Sequence, residues 1–404
     1  MPHERNRYIE SPLKNVLALS PLVGILGHRQ VGKTTLLEKL SKRFHTLDSA
    51  KELSEASSDP ETYVSSRANH LVAIDECQLA PALFPALKDW VRKHKKPGQF
   101  ILSGSVRFTS REAIKESLTG RIMNLELLPL SCSEILGKEL SSYCPDIMKS
   151  EDLSQFLKQS RYVKGDITKT HEAMKKYFSH GGLPGICFIR DDKLRSEKIS
   201  EQLLTILDRD LRMVQKILVP YSEIRHLLTQ LARTQGLPID YSELKKNTGL
   251  ATPTIKKIIN ALEAVFILRQ VAIEGTSRNT SLFFEDQGEH SVLSDGSENI
   301  EQQLLHFAYT NIRTQFEYKL GIHTRCFQYR TRGGAFIPLC FENKSGVLGI
   351  LPIEEVAKAE RCKGSINSFL SAYKNAKVII VHPENVPAKT IGAKAIVAPM
   401  GAVV

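Results

Sequence analysis

The chain has 404 residues, of which 42% are hydrophobic and 25% are charged. Both fractions are typical of soluble globular proteins, and 24 glycines and 18 prolines exclude a collagen-like or largely disordered chain. This length predicts two or three domains. An excess of 55 Lys and Arg over 44 Asp and Glu gives a net charge of +11, which favours a polyanionic partner such as nucleic acid.

The seven cysteines are scattered and never spaced as a CxxC pair, so they predict neither a zinc knuckle nor a redox pair. Free cysteines in this arrangement are typical of a reducing cytosol. The first ten residues are too polar for a secretory signal, and no apolar run reaches the roughly 18 to 20 residues that cross a bilayer. We therefore expect a soluble cytoplasmic protein with no membrane contact.

The first motif in the chain is a phosphate-binding loop. An apolar strand predicted over residues 22–26 is followed directly by Gly27-His28-Arg29-Gln30-Val31-Gly32-Lys33-Thr34 and then by a helical pattern. This segment matches G-x-x-x-x-G-K-[ST] in its expected strand–loop–helix context. Backbone N–H groups from Gly27 to Thr35 would cradle the phosphates of ATP. Lys33 would reach the β- and γ-phosphates, and the Thr34 hydroxyl would bind Mg²⁺.

A second apolar run, residues 70–74, ends in Asp75 and Glu76 and predicts a buried parallel strand with acids at its carboxyl end, a Walker B pattern. Asp75 would hold Mg²⁺, and Glu76 would orient and deprotonate the water that attacks the γ-phosphate. A third run, residues 99–102, leads into Ser103-Gly104-Ser105. These small hydroxyl residues, Ser105 among them, would sense the γ-phosphate if their strand lies beside the phosphate-loop strand, and a plain turn is the alternative.

Arg121 is a candidate catalytic cation, because a guanidinium stabilises charge that develops during phosphoryl transfer. It would act in its own subunit or in the site of a neighbour. Composition alone would make it a surface arginine.

These segments resemble the AAA-superfamily ATPases that carry a C-terminal domain called DUF4143. The resemblance is dense over residues 7–134, weak after residue 275, and rests on GILGHRQVGKTTLLEKL, LVAIDECQLAPALFPALKDWVRK, PGQFILSGS, ESLTGRIMNLELLPLSCSEIL and HGGLPG. It implies that Arg29 and Gln30 belong to the phosphate loop, that Ser105 lies on the sensor strand and that Arg121 is the family's S-x-[AT]-G-R arginine. It also implies ATP binding and hydrolysis, with no particular substrate.

The resemblance implies an α/β fold in which a parallel AAA-type sheet precedes a winged helix and a C-terminal domain similar to restriction endonucleases. We expect five parts: an ATPase core over 1–135, a helical lid over 136–215, a winged helix over 216–275, a polar linker or insertion over 276–300, and a degenerate nuclease-like domain over 301–404. The polar composition of residues 274–299 indicates the linker.

Residues 222–275 predict a helix-turn-helix, with a recognition helix that starts near Pro253 and a wing strand over 265–271. Four lysines would contact DNA from the two helices: Lys245, Lys246, Lys256 and Lys257. The alternative is a winged helix that packs internally or positions a neighbouring subunit.

The C-terminal third departs from the family pattern. Where relatives carry acids, this chain has Phe336 and Pro338, and neither side chain can ligate a hard cation. A substitute pair, Glu342 and Lys344, lacks an upstream acid at a convincing spacing. We therefore expect no nuclease activity.

The predicted function is ATP binding and Mg²⁺-dependent hydrolysis that couples nucleotide state to a nucleic-acid or protein partner. The alternatives are a slow or non-hydrolysing DNA-binding switch and an interaction scaffold with a vestigial loop. The sequence leaves the oligomeric state open, including a homo-oligomer in which Arg121 serves a neighbouring site.

Overall fold

The computed structural model describes residues 4–68, 70–107, 122–159, 167–275, 280–319 and 324–404. Over these ranges the chain forms a parallel five-stranded sheet, a helical region and a mixed eight-stranded sheet. The predicted α/β fold class is confirmed. No helix within these ranges is long and apolar enough to cross a bilayer.

The first sheet has the strand order β2-β3-β4-β1-β5 and is parallel throughout. Its strands are β1 Leu22–Leu26, β2 Arg43–Thr46, β3 Val72–Asp75, β4 Phe100–Gly104 and β5 Ile122–Glu126. Helices of this region are α1 Glu10–Leu17, α2 Lys33–Leu40, α3 Ala50–Ser58, α4 Pro60–Arg67 and α5 Leu83–Lys93, with a 3₁₀ turn at Cys77–Leu79.

The three central strands are buried along their whole length, which explains their continuous apolar runs. Alternate side chains enter two apolar clusters on the two faces of the sheet, with Val23 in one and Leu22 in the other. Because the strands are parallel, their carboxyl ends lie at one edge, and the chemistry-bearing residues follow there.

A helical region connects the two sheets. Its helices are α6 Cys132–Ile135, α7 Tyr143–Lys149, α8 Leu153–Gln159, α9 Ile167–His180, α10 Asp192–Thr205 and α11 Leu211–Val214, with a π-helical turn at Ile206–Asp210. The helices α7, α8 and α9 pack against the second sheet, since Tyr143, Leu153 and Phe178 share an apolar cluster with Phe307 and Ile379. The turn after α9 lies instead against the phosphate loop.

The winged-helix elements are α12 Tyr221–Arg233, α13 Tyr241–Thr248, α14 Thr252–Ala264 and the antiparallel strands β6 Leu268–Glu274 and β7 Thr280–Phe284. Pro253 lies in the first turn of α14, where the missing N–H costs nothing. The wing strand begins at Leu268 rather than at Val265, because the chain turns at Phe266, whose φ is 61°.

The second sheet has the order β12-β13-β11-β10-β9-β8-β6-β7. Its remaining strands are β8 Arg325–Arg330, β9 Phe336–Asn343, β10 Gly346–Pro352, β11 Ala376–His382, β12 Lys389–Thr390 and β13 Ala395–Pro399. The helices beside it are α15 Gln287–Leu293, α16 Ile300–Lys319, α17 Lys363–Ala372 and α18 Met400–Val403, with a 3₁₀ segment at Val356–Cys362. Strand β6 pairs in parallel with β8, so the winged-helix hairpin is continuous with this sheet.

The range 276–300 was predicted as a linker or insertion, and most of it is regular secondary structure instead of an extended linker. Strand β7 and helix α15 lie within it, and both are largely buried. The polar composition misled the prediction because Asp286, Glu289 and His290 are buried and hydrogen-bonded instead of solvated. The other predicted domain boundaries stay predictions.

Candidate nucleotide-binding site

The segment between β1 and α2 has the shape of a phosphate-binding loop. Gly32, at the N-cap position of α2, has a φ of 97°, a backbone conformation that favours glycine. The helix begins at Lys33, so its first N–H groups are free to receive an anion. The buried Lys33 Nζ donates to the carbonyl oxygens of Gly27 at 3.0 Å and His28 at 2.9 Å. Burial lowers the pKa of Lys33, although the carboxylates of Glu76 and Asp75 oppose that shift.

Asp75 lies at the end of β3 and is 2% exposed. Thr34 Oγ1 donates to Asp75 Oδ2 at 2.6 Å, and the Ser103 hydroxyl donates to the other carboxylate oxygen. Mg²⁺ prefers oxygen donors and typically uses one or two carboxylates together with phosphates and water. Thr34 and Asp75 therefore fit this ion as the pair that would hold it. Among the described residues, no group of three or more His, Cys, Asp and Glu side chains could hold a metal by itself.

Glu76 follows directly, with a φ of 56° that is uncommon for any residue other than glycine. Such strained residues concentrate at functional sites. The Gln78 amide donates to the Glu76 carboxylate and, at 3.3 Å, to Ser105 Oγ. Burial raises the pKa of Glu76 even though the nearby Lys33 ammonium opposes that rise.

Strand β4 lies between β3 and β1, so Ser103 and Ser105 come to the edge where the phosphate loop begins. The condition for Ser105 to act as a sensor is therefore met, although its role stays a prediction. Ser103, for which the same role was predicted, makes the direct contact with Asp75.

A cavity of about 500 Å³ opens beside the loop, within the size range of ligand sites. Loop and helix residues form one wall, the N-terminal segment another, and the turn after α9 a third. Its lining includes Arg5, Arg7, Arg29, Gln30, Gly32, Lys33, Thr34, Thr35, Glu76, Pro184 and Gly185.

Arg7 is a residue of this site that the motif analysis missed. Its guanidinium donates to the carbonyl oxygens of Val31 at 2.8 Å and Leu128 at 2.5 Å, and it pairs with Glu134 at 3.1 Å. It thereby fixes the phosphate loop to the segment after β5. The one signal in the sequence was its position as the first residue of the range 7–134, which resembles the AAA-superfamily ATPases.

Two loop side chains are paired with distant parts of the chain. His28 is 1% exposed, and its Nε2 lies 3.1 Å from Glu289 Oε2 on α15. Burial alone would lower the pKa of His28, but the charge and hydrogen bond of Glu289 raise it. Arg29 Nη1 lies 3.2 Å from Asp210 Oδ2, at the π-helical turn. Glu289 lies within the range that was predicted as a linker or insertion.

The remaining predicted residues lie elsewhere. Arg121 is outside the described ranges. The four lysines are all exposed on α13 and α14: Lys245, Lys246, Lys256 and Lys257. Lys256 Nζ lies 5.0 Å from the centre of the Tyr241 ring.

In the C-terminal sheet, Phe336 and Pro338 lie on β9 and line a separate cavity of about 580 Å³. Glu342, the acid of the substitute pair, forms an ion pair with Arg325. The two positions at which the resemblance implied acids thus hold an aromatic ring and a proline, and the degenerate nuclease-like domain stays a prediction.

Two family models match the chain. Residues 19–136 match an AAA domain, and residues 171–279 match a domain of unknown function, DUF8612. The DUF4143 domain that the resemblance implied for residues 301–404 is not found, and the second match, DUF8612, covers residues 171–279 instead.

The curated relatives include two uncharacterized proteins, from Mycobacterium tuberculosis and Mycobacterium bovis. Each is 24% identical to this chain over 261 residues, which is 64% of this chain and 51% of the relative. The chain thus spans about half the length of these relatives.

Solved structures with partial likeness include a STAND protein with a tetratricopeptide repeat sensor from Pyrococcus horikoshii. It is 15% identical to this chain with a TM-score of 0.29, and the match covers 80% of this chain and 48% of the STAND protein. The ORC1 protein of Aeropyrum pernix in complex with DNA has 13% identity and a TM-score of 0.26, with coverages of 73% and 94%. Likeness at these TM-scores carries no argument about function. Residues 19–136 are, by motif and family match, an AAA-type P-loop domain, the kind of domain that binds nucleoside triphosphates.

Proposed function

We propose that the chain binds ATP with Mg²⁺ in the cavity beside the phosphate loop and hydrolyses it. One observation carries this proposal: Lys33, the Thr34–Asp75 pair and Glu76 converge on a single edge of the first sheet. A phosphate cradle, a pair of oxygen donors for a hard cation and a carboxylate base are the three parts that ATP hydrolysis needs.

Each residue has a separate task in this proposal. Lys33, whose ammonium donates to two loop carbonyls, would turn to the β- and γ-phosphates. Thr34 and Asp75 would hold Mg²⁺, which neutralises charge on the phosphate oxygens when it is bound. Glu76 would accept the proton of the attacking water. Its raised pKa suits a general base, because proton transfer is most efficient when the pKa lies near the working pH.

The experiment compares ATP binding and turnover at fixed Mg²⁺ in the parent, Lys33→Ala and Glu76→Gln. Because hydrogen bonds to charged groups contribute about 1.5–3 kcal/mol, Lys33→Ala should weaken ATP binding by about tenfold or more. Glu76→Gln should bind ATP as the parent does and lose about 10²- to 10⁴-fold in turnover.

The matched control is Glu38→Gln, which removes an exposed carboxylate on the outer side of α2 and should change neither quantity. If Lys33→Ala and Glu76→Gln hydrolyse ATP like the parent, the assignment is wrong. Tight binding without turnover by the parent would instead support a nucleotide-dependent switch that does not hydrolyse ATP.

We also propose duplex DNA as the partner of the winged helix. The observation that favours it is the exposure of all four candidate lysines on the two helices of the helix-turn-helix. Lysines at such positions neutralise phosphates without reading the base sequence.

A further inference from the structure

The segment that directly follows β4 is hydrogen-bonded to the carboxyl end of helix α14. Arg107 follows Ser105 by two residues, and its backbone N–H donates to the Ala264 carbonyl at 2.9 Å. Its Nε donates to the Glu263 carbonyl at 3.1 Å. The last carbonyls of a helix carry partial negative charge and lack partners within the helix, so a guanidinium is well suited to them.

The turn that follows α14 is held inside the first domain. Phe266 is 1% exposed and belongs to the same apolar cluster as Phe100 and Leu102 of β4. The guanidinium carbon of Arg107 lies 4.2 Å from the centre of the Phe266 ring. A φ of 61° is strained for an aromatic residue, and such strain persists only where the surroundings hold it.

Arg107 is also fixed from its other side. Its Nη1 lies 3.1 Å from Glu126 Oε2 on β5, and its Nη2 lies 3.8 Å from Glu285 Oε1 after β7. One residue therefore joins the segment after β4, the edge strand β5 of the first sheet and the last turn of α14. A displacement at the end of β4 must either move α14 or break several of these contacts.

The same end of β4 contacts the residues that would respond to ATP and Mg²⁺. Ser103 donates to the Asp75 carboxylate, and Ser105 accepts from Gln78, which also bonds Glu76. Any rearrangement of these acids changes the hydrogen bonds of the strand end, two to four residues before Arg107.

We propose that Arg107 and Phe266 couple this strand end to helix α14, so that ATP binding changes how the lysine-bearing helix is held. The proposal rests on the proposed function, because it requires ATP at the phosphate loop. Arg107 is a positioning residue here, since it does not line the cavity beside the phosphate loop and acts through α14.

The test measures hydrogen exchange of the amides of residues 252–264 with and without Mg²⁺ and ATP, in the Glu76→Gln background so that ATP persists. ATP should change exchange in α14 by about threefold or more. In Arg107→Lys, ATP should still bind while the change in α14 is lost. Lysine keeps a positive charge near Glu126. A single ammonium, however, cannot bond the Glu126 carboxylate and the Glu263 carbonyl at the same time, as the planar guanidinium does.

The matched control is Arg67→Lys, in which the replaced arginine also lies over an aromatic ring, Tyr63 at 3.8 Å, and pairs with Glu52 and Glu55 of helix α3. This variant should keep the α14 response. Phe266→Leu is a second variant that keeps apolar burial without the ring, and it should lose the response as Arg107→Lys does.

ATP binding without any change in α14 would overturn the coupling and leave the proposed function standing. The coupling is equally overturned if Arg107→Lys and Phe266→Leu respond like the Glu76→Gln background. If neither the parent nor Glu76→Gln binds ATP, both proposals are overturned. ATP binding is therefore measured separately from hydrogen exchange.

Discussion

The backbone and the surroundings of Glu76 suit the role of general base that we propose for it. Its left-handed backbone turns the chain directly after the buried Asp75, and its carboxylate lies near Lys33 at the mouth of the cavity. Two opposing influences set its pKa: burial and the Asp75 charge raise it, while Lys33 and the Gln78 hydrogen bond lower it. The net direction is upward.

We expect turnover to fall as the pH falls through this raised pKa, because the base works only when ionised. The acid limb of the rate profile should therefore lie above the usual range of a glutamate. In Gln78→Leu, loss of the hydrogen bond that favours the carboxylate should move that limb to still higher pH.

The measurement is kcat/KM against pH for the parent and Gln78→Leu. The plateau at high pH serves as the internal reference, since Glu76 is ionised there in both proteins. An acid limb that stays in place in Gln78→Leu would show that another group limits the rate.

At the scale of elements, helices α13 and α14 form the surface that we assign to DNA. Gly249, with a φ of 73°, ends α13 and lets α14 start after a short turn. Because Lys256 lies over Tyr241, its charge is held near the first turn of α13. The pair at residues 256 and 257 follows the start of α14 by about one turn.

The double variant Lys256→Ala with Lys257→Ala should weaken duplex binding about equally for different sequences. The slope of log K against log salt should fall by about 0.9 for each DNA phosphate that the variant no longer neutralises. Fluorescence anisotropy over a range of salt concentrations measures both quantities. Lys95→Ala with Lys96→Ala is the matched control, because these lysines are exposed beyond α5 and outside the winged helix. Equal losses of DNA affinity in the two double variants would mean that net charge, and not the surface of α13 and α14, determines binding.

At the scale of the whole molecule, a partly buried charge network joins the two sheets. Glu126 of β5 and Glu285 after β7 meet Arg269 of β6 and Arg313 of α16, with Arg107 at the border. Burial would raise the pKa of Glu126, but the arginines hold it well below its usual range. Once desolvated, each charge depends on the others for compensation.

Arg313→Met should lower the free energy of unfolding by about 3–5 kcal/mol, because it removes a partner from the buried Glu285 and from the half-buried Glu126. Arg325→Met, which removes an arginine that is 46% exposed and also pairs with two glutamates, should cost about 0–1 kcal/mol. Urea unfolding of both variants gives the comparison. Similar losses of unfolding free energy in the two variants would mean that water, and not Arg313, compensates the charges of Glu126 and Glu285.

The sequence predicted the parts of the site that are local. Each of these parts can be recognised from a motif of a few residues, because phosphate chemistry restricts which residue types can follow a strand. They are the loop from Gly27 to Thr35, the Asp75–Glu76 pair and the segment that leads to Ser105. Their roles stay predictions.

The missed partners depend on folding at long range. Glu289 meets His28 across 261 positions, and Asp210 meets Arg29 across 181. Nothing near Glu289 distinguishes it from a solvated acid, so a polar segment was taken for a linker. Only the packing of α15 against the phosphate loop shows that its charges are buried.

The shared β6–β7 hairpin sets a limit on dissecting the protein. Strand β6 offers one edge to β7 and the other to β8 of the last domain, through the pairs Ala272–Phe327 and Glu274–Tyr329. A truncation before β8 would leave unpaired N–H and C=O groups along that edge, which is a template for association with other chains. We therefore expect the helix-turn-helix and the final sheet to fold as one unit, so that neither can be expressed alone without loss of stability.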